Sequence, residues 1–445
     1  MLVKSGGMIP ITKNIRVFDE HGTEYEATYP KRAKGLVKNG RARFIDEHAI
    51  CLACPPNLYL EDNMSKSLLK FFVVFVLVLT LCLTAACRRE VKDDGTIRIG
   101  VLLPMSGPEA FFGTDMFNAY TLAVRHVNQA GGVLGRQLVL QNPGDDGCDA
   151  LMAAQAATTI TSQRPDFVVG GYCSGATIPA LQEFYDRNLI MLISAANSTR
   201  ITELGLPQTF MINSPGTHAV NSLVELLKHF NVRDVALIHQ GCAYTQNLAE
   251  IAQSKLPEAG LRVVATEVMR YGAPDISAIV TTIRASGAQA IYWCGYHADG
   301  ANAIRQLRAG GFAGYIIAGD GSADAELIEF SGPAGEGVFV TSPPFVQFSP
   351  GGEEFLAAFI ARFGNPPGAY ASLAYDTIWL LKTAIEQAET LETAKVRDAI
   401  QNIRFPGLSG YIRFADNREL YYSNFMIVQI KGGQFVLFDE HIVRE

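Results

Sequence analysis

The sequence predicts an α/β protein of two lobes, each a doubly wound, mostly parallel sheet, preceded by a signal or anchor helix and a small β-rich N-terminal segment. Three observations lead there. Short apolar runs alternate with amphipathic stretches over most of the chain, the order expected of βα units. That alternation runs through twice, so two sheets are expected rather than one. An apolar run at residues 64–87 separates a short leader from the repeating body. A chain of 445 residues suits two or three domains.

The leader, residues 1–63, differs in composition. Short β-like pieces at 11–17, 24–29 and 42–44 alternate with turn signals such as His21-Gly22 and Asn39-Gly40. Lys31, Arg32, Lys34, Lys38, Arg41 and Arg43 form a basic cluster. It reads as a solvated face in preference to a nucleic-acid patch. His48, Cys51 and Cys54 make up half a zinc site at most, because Cys-x-x-Cys supplies two thiolates of the usual four ligands. No metal is expected, and the leader's role stays open.

Residues 64–87 have the order of an export signal. Lys66 and Lys70 give a positive start, residues 71–83 are almost wholly apolar, and Leu83-Thr84-Ala85-Ala86-Cys87 closes the run with small residues and a cysteine. That ending resembles the lipobox of bacterial lipoproteins, which implies cleavage before Cys87 and a lipid on its thiol. Residues 68–86 are also about long enough to cross a bilayer as an uncleaved anchor. Met64 would be a natural start, so residues 1–63 either lie outside the expressed protein or form a small cytoplasmic domain joined in frame. Both readings place the body at the cell membrane, on its extracytoplasmic face.

Four cysteines follow the signal: Cys148, Cys173, Cys242 and Cys294. Export permits disulfides, three connectivities exist, and spacing does not choose among them. The net charge of -7 gives no reason to expect a nucleic-acid partner.

In the body, strands are expected at 97–104, 137–140, 166–171 and 189–194, with helices at 115–129, 150–163 and 178–187. The theme repeats with strands at 235–239, 262–269, 290–295 and 315–319, and helices at 244–255, 276–285 and 299–309. Buried parallel strands should be continuously apolar, as Phe167-Val168-Val169 and Ala236-Leu237-Ile238 are. Near the end, 425–430 and 434–438 flank Lys431-Gly432-Gly433, the pattern of a hairpin.

Open α/β sheets bind ligands beyond the carboxyl ends of their strands. The segments at those ends are 106–113 (SGPEAFFG), 172–177 (YCSGAT) and 194–198 (SAANS) in the first half. In the second they are 240–244 (QGCAY), 296–299 (YHAD) and 320–322 (DGS). Hydroxyls at a helix start suit a carboxylate, and an acid opposite suits an ammonium group. Together they describe a site for an α-amino acid.

No Gly-x-Ser-x-Gly or His-Glu-x-x-His occurs, and Ser67-x-x-Lys70 falls in the signal. Gly131 to Gly135 follows a helix and precedes a strand, the reverse of a dinucleotide fingerprint. An enzyme is therefore not expected, nor a cofactor. Of the few histidines, only His239 and His297 fall near the cleft.

The body resembles the substrate-binding proteins of branched-chain amino acid ABC transporters, the leucine/isoleucine/valine type. The motifs are 100–108 (GVLLPMSGP) followed by Gly113, 127–136 (VNQAGGVLGR), Asp145-Asp146 and Cys173-Ser174. The likeness runs from about Ile97 to Phe438 and does not reach residues 1–63. It implies the periplasmic binding protein type 1 clamshell with three hinge crossings. The lobes would be 97–215 with 344–415, and 216–343 with 416–440. It assigns Ser174, Ala196 and Ser198 to a ligand carboxylate and Asp320 to its ammonium, with Asn197 in the same loop. Phe112, Tyr244, Tyr296 and Tyr370 would line or close the cleft, and Cys148 would pair with Cys173. ABC permease subunits would be the partners. Ala195 stands where proline is frequent, and 240–247 departs from the usual loop. A ligand-sensing receptor on the same clamshell is the alternative function; amide or urea-like solutes are a more distant one. Cys242 and Cys294, at the ends of neighbouring strands, are read either as a second disulfide or as free thiols.

Overall fold

The computed structural model describes residues 12–52 and 95–438. Cys54, the 64–87 run and Cys87 lie outside them. Among the described residues no helix is long and apolar enough to cross a membrane. The chain falls into two compact units that divide after Lys92, and each is described by itself.

The first unit is a mixed four-stranded sheet with one helix. Strands β1 (Ile15–Phe18), β2 (Glu24–Thr28), β3 (Ala42–Asp46) and β4 (Ala49–Leu52) lie in the order β2-β1-β4-β3. The helix α1 (Pro30–Lys38) escaped the sequence reading because only Ala33 of its residues is fully buried. Its apolar stripe is too narrow to set a 3.6-residue period. Lys31, Arg32, Lys34, Lys38, Arg41 and Arg43 are all exposed, as a solvated face requires. Cys51 is buried in β4, while His48 is exposed in the turn before it.

The second unit starts at β5 (Thr96–Leu103), whose last five residues are all buried. Then come α2 (Ala110–Gln129), β6 (Gln137–Leu140), β7 (Gly144–Asp145), α3 (Ala150–Ser162), β8 (Phe167–Gly170), α4 (Ser174–Asp186), β9 (Ile190–Ile193), α5 (Arg200–Glu203) and β10 (Thr209–Met211). The strands form one parallel sheet, order β10-β9-β8-β5-β6, with β7 also on β5. Asp149 caps α3 by accepting from the Leu151 and Met152 amides.

The chain then builds a second sheet. Helix α6 (Gly216–His229) leads to β11 (Asp234–His239), α7 (Ala243–Glu258), β12 (Arg262–Val268), α8 (Ser277–Ser286), β13 (Ala290–Cys294), α9 (His297–Ala309), β14 (Tyr315–Ala318), α10 (Ala325–Ser331) and β15 (Phe339–Ser342). It returns to pack α12 (Ala371–Ala388) on α2, with α11 (Gly352–Phe363) before it and α13 (Thr393–Gln401) after. A small hairpin follows, β16 (Phe405–Gly407) and β17 (Gly410–Ile412). Last come β18 (Met426–Lys431) and β19 (Gln434–Leu437), the expected hairpin, turning through Gly432 and Gly433, both at positive φ. They complete the second sheet, order β12-β11-β13-β14-β15-β18-β19.

The chain thus passes between the sheets three times: after β10, after β15 and before β18. The passages are bonded to one another. Ser214 Oγ donates to Asn424 Oδ1 at 2.6 Å, and the Asn424 amide donates back to Ser214 Oγ at 2.8 Å. Ser372 Oγ donates to the Pro344 carbonyl at 2.9 Å.

Several helices begin earlier than their periodicity suggests. Helix α2 starts at Ala110 rather than 115, and α4 at Ser174 rather than 178. Gly113 and Pro179 mask them. Gly113 is there for close packing: a Cβ on it would fall 1.8 Å from the Pro104 carbonyl oxygen. Pro179 sits inside α4 and removes one helical hydrogen bond.

Candidate functional site

The loops at the carboxyl ends of the two sheets face each other. Their centre is Asp320, which follows β14 and is 2% exposed. Its Oδ1 accepts from the Tyr244 hydroxyl at 2.7 Å. Its Oδ2 accepts from Asn197 Nδ2 at 2.9 Å, and more weakly from Asn213 Nδ2 and Tyr370 OH, both at 3.4 Å. The Tyr370 hydroxyl donates to the Asp320 carbonyl at 2.9 Å. Burial pushes the carboxyl upward, and the bonds from Tyr244 and Asn197 oppose that shift. A buried carboxylate with only neutral donors lacks a counter-charge. A cation arriving here gains the full attraction of a poorly screened acid.

Opposite lies the start of α4. Chain direction reverses there because β8 ends in Gly170 and Gly171, both at positive φ; a Cβ on Gly170 would meet the Leu102 carbonyl oxygen at 2.1 Å. Cys173 is the N-cap and is disulfide-bonded to Cys148. Ser174 opens the helix, where the first N–H groups have no intrahelical acceptor. Its hydroxyl accepts from the Ser198 amide at 3.3 Å. The Ser198 hydroxyl donates to Asn247 Oδ1 at 2.9 Å, which ties it to α7. The Ala196 amide, assigned to a ligand carboxylate by resemblance, is already bonded to the Gly171 carbonyl at 2.9 Å. In this closed form it is not a free donor.

Five rings join these two ends. Phe112 stacks on Tyr172 at 4.7 Å and meets Tyr370 edge-on at 5.7 Å. Tyr296 lies 5.6 Å from Tyr244 and 6.3 Å from Tyr172, and donates its hydroxyl to Cys173 Sγ at 3.4 Å. All nine sequence-derived residues, Phe112, Ser174, Ala196, Asn197, Ser198, Tyr244, Tyr296, Asp320 and Tyr370, are buried in this group of loops. Sequence reasoning missed Tyr172 as a lining ring, though it precedes the cysteine in a loop already singled out. It missed Asn213 and Asn247, which carry no motif, and Glu109, which stood in the first loop. His239 is half-buried and its Nδ1 accepts from the Gly241 amide. His297 is buried beside Phe112. Cys242 is exposed and Cys294 buried, and both are free thiols, so no second disulfide joins these strands. Burial pushes the Cys294 thiol well above its usual range.

Two α/β lobes, three crossings and a buried acid facing a helix start define a clamshell solute-binding protein. Comparison with known proteins specifies the family. The family model described as periplasmic binding protein matches residues 96–434, and the chain belongs to that family. It is 27% identical over 340 residues to the leucine-, isoleucine-, valine-, threonine- and alanine-binding protein of Pseudomonas aeruginosa, covering 75% of this chain and 90% of that one. Among solved structures, a leucine-binding protein from Thermotoga maritima superposes with a TM-score of 0.72 at 26% identity, covering 77% of this chain and 98% of that one. A branched-chain amino acid binding protein from Streptococcus pneumoniae, solved with isoleucine, gives 0.68 at 23%, covering 76% and 97%, and speaks to the fold alone. The two-lobed type 1 periplasmic binding protein fold expected from the sequence is borne out.

Proposed function

We propose that the body captures a free α-amino acid outside the cytoplasm and delivers it to an ABC permease. The observation that carries this is Asp320: a buried carboxylate, facing a helix start and two serines across a cleft between lobes. The α-ammonium group replaces Asn197 Nδ2 at Asp320, with Tyr244 and Tyr370 holding the acid. The α-carboxylate takes the first N–H groups of α4 and the hydroxyl of Ser174, with Ala196, Asn197 and Ser198, whose own hydroxyl proton goes to Asn247, closing that end. The names of the relatives, which bind leucine, isoleucine, valine, threonine or alanine, support an amino acid as solute. We take 97–215 with 344–415 as one jaw and 216–343 with 416–440 as the other. Cleavage before Cys87 would leave the body tethered by lipid on its thiol, and intact mass of the membrane-bound form tests that. The relatives are binding proteins, not catalysts, by name. The pose is tested by titration calorimetry with Asp320→Ala. Losing the acid should weaken amino-acid binding at least about 100-fold, the scale of an unpaired buried charge. Unchanged affinity would sink the pose.

A further inference from the structure

Beside Phe112 the Glu109 carboxyl, the Tyr172 hydroxyl and His297 Nδ1 meet; Glu109 Oε2 and His297 Nδ1 have no hydrogen-bond partner among the described residues, and the Tyr172 hydroxyl is near enough to favour the ionised Glu109. Glu109 and Tyr172 come from the first lobe and His297 from the second. Glu109 and His297 are each 3% exposed, and Tyr172 is 5% exposed. Glu109 Oε2 lies 4.0 Å from His297 Nδ1, beyond hydrogen-bond reach. The other ring nitrogen, Nε2, faces Glu326 Oε2 at 3.0 Å. The imidazole thus sits between two carboxylates, one within hydrogen-bond distance and one beyond it. Across that 4.0 Å gap the buried Glu109 Oε2 is left without a donor.

Around this gap three carboxylates, Glu109, Asp324 and Glu326, face a single imidazole. The charged groups acting most strongly on Glu109 and Asp324 are His297, Glu326 and, on Glu109, Asp324; no lysine or arginine is among them. Asp324 and Glu326 converge with His297 so closely that one ligand atom from each falls within 4.8 Å of the others.

We propose that this cluster is the far end of the ligand site and receives the cationic terminus, ammonium or guanidinium, of a basic amino acid. The inference rests on the preceding assignment of the α-ammonium to Asp320. Rings join the two ends: Tyr370 bonds Asp320 through its hydroxyl and packs on Phe112 and Tyr172, which flank the Glu109–His297 gap. Aromatic faces suit both a methylene stem and a cation. A leucine, isoleucine or valine side chain brings no donor and would seal Glu109 Oε2 and His297 Nδ1 away from water unpaired. Sites built to bond a polar group reject analogues that lack it.

The test is titration calorimetry on the purified full-length protein, treated with chelator, using L-lysine, L-arginine and L-leucine. Lysine or arginine should bind at least about 100-fold more tightly than leucine. Glu109→Gln should lower the ratio of basic-amino-acid to leucine affinity more than about tenfold. The wild-type panel needs no variant to fold. Leucine binding more tightly than both, or a ratio unmoved by Glu109→Gln, would overturn the inference. If leucine binding is then lost in Asp320→Ala, the head-group pose survives. Binding of none of the three would defeat the pose and this inference together. Tight uptake of Zn2+ or Mn2+, lost in Glu326→Gln and unaccompanied by basic amino acids, would mark a metal site instead.

Discussion

Glu109 shows how one side chain couples affinity to pH. Burial pushes its carboxyl up to about 7, with Tyr172, His297, Asp324 and Glu326 facing it and Tyr271 within electrostatic reach. A cationic ligand needs the ionised form. A group with a pKa of about 7 in the free protein, fully ionised in the complex, raises apparent affinity about tenfold from pH 6 to pH 8. Affinity for lysine or arginine is therefore expected to rise with pH over that window, and less steeply in Glu109→Gln. Calorimetry at both pH values checks it; an identical slope in the two proteins would remove Glu109 from the coupling. Asp320 was legible in the sequence because strand ends in open sheets are where ligands go. Glu109 was not singled out: it sits in a loop that the strand-end rule pointed to, but its burial depends on a partner, His297, 188 positions away.

At the scale of elements, the α4 start is held by a covalent strut. The Cys148–Cys173 bond closes a loop across a sequence separation of 25 and fixes the N-cap residue next to Ser174. Cys148 sits at positive φ, an unfavourable conformation for a side-chain-bearing residue, in the loop after β7. Cross-linking a loop of this length restricts the unfolded chain by roughly 3–4 kcal/mol in the chain-entropy model. Reduction, or Cys148→Ser, is expected to lower stability on that scale and loosen α4. Denaturant unfolding with and without reductant measures the first, and hydrogen exchange at 174–177 the second. No change in either would show that packing alone holds the helix start. The pairing came from resemblance, since spacing left three connectivities open. Strands β8 and β13 were legible because they are continuously apolar, and β5 and β11 because an apolar run fills most of each. Helix starts were not, because Gly113 and Pro179 serve close packing and site geometry rather than helix propensity. Strands as short as β10 and β15 give too few residues for any period to register.

At the scale of the whole two-lobed body, the cleft in this structure is closed. Asn197 reaches Asp320 across the cleft, Tyr370 does the same, and Arg200 pairs with Glu250 at 2.7 Å. The clamp with no place in the proposed ligand pose is Asn247 on α7. Its Oδ1 accepts from Ser198 Oγ at 2.9 Å and the Thr199 amide at 3.0 Å, and its Nδ2 donates to Thr199 Oγ1 at 3.1 Å. These bonds exist only when the lobes meet, so they favour closure without touching the solute. Losing them in Asn247→Ala costs the closed state about 1–2 kcal/mol once water satisfies the freed groups. Apparent affinity scales with the closed fraction, so it should fall by up to roughly 5- to 30-fold. Because the effect acts on closure, it should be the same factor for every ligand, unlike the selective change expected from Glu109→Gln. Small-angle scattering should show a larger radius of gyration for the ligand-free variant than for the wild type, and equal radii once saturated. A loss confined to one ligand would place Asn247 in the site itself. Equal ligand-free radii would mean that the Ser214–Asn424 and Ser372–Pro344 bonds between the crossings, and not the cleft contacts, set the closed geometry.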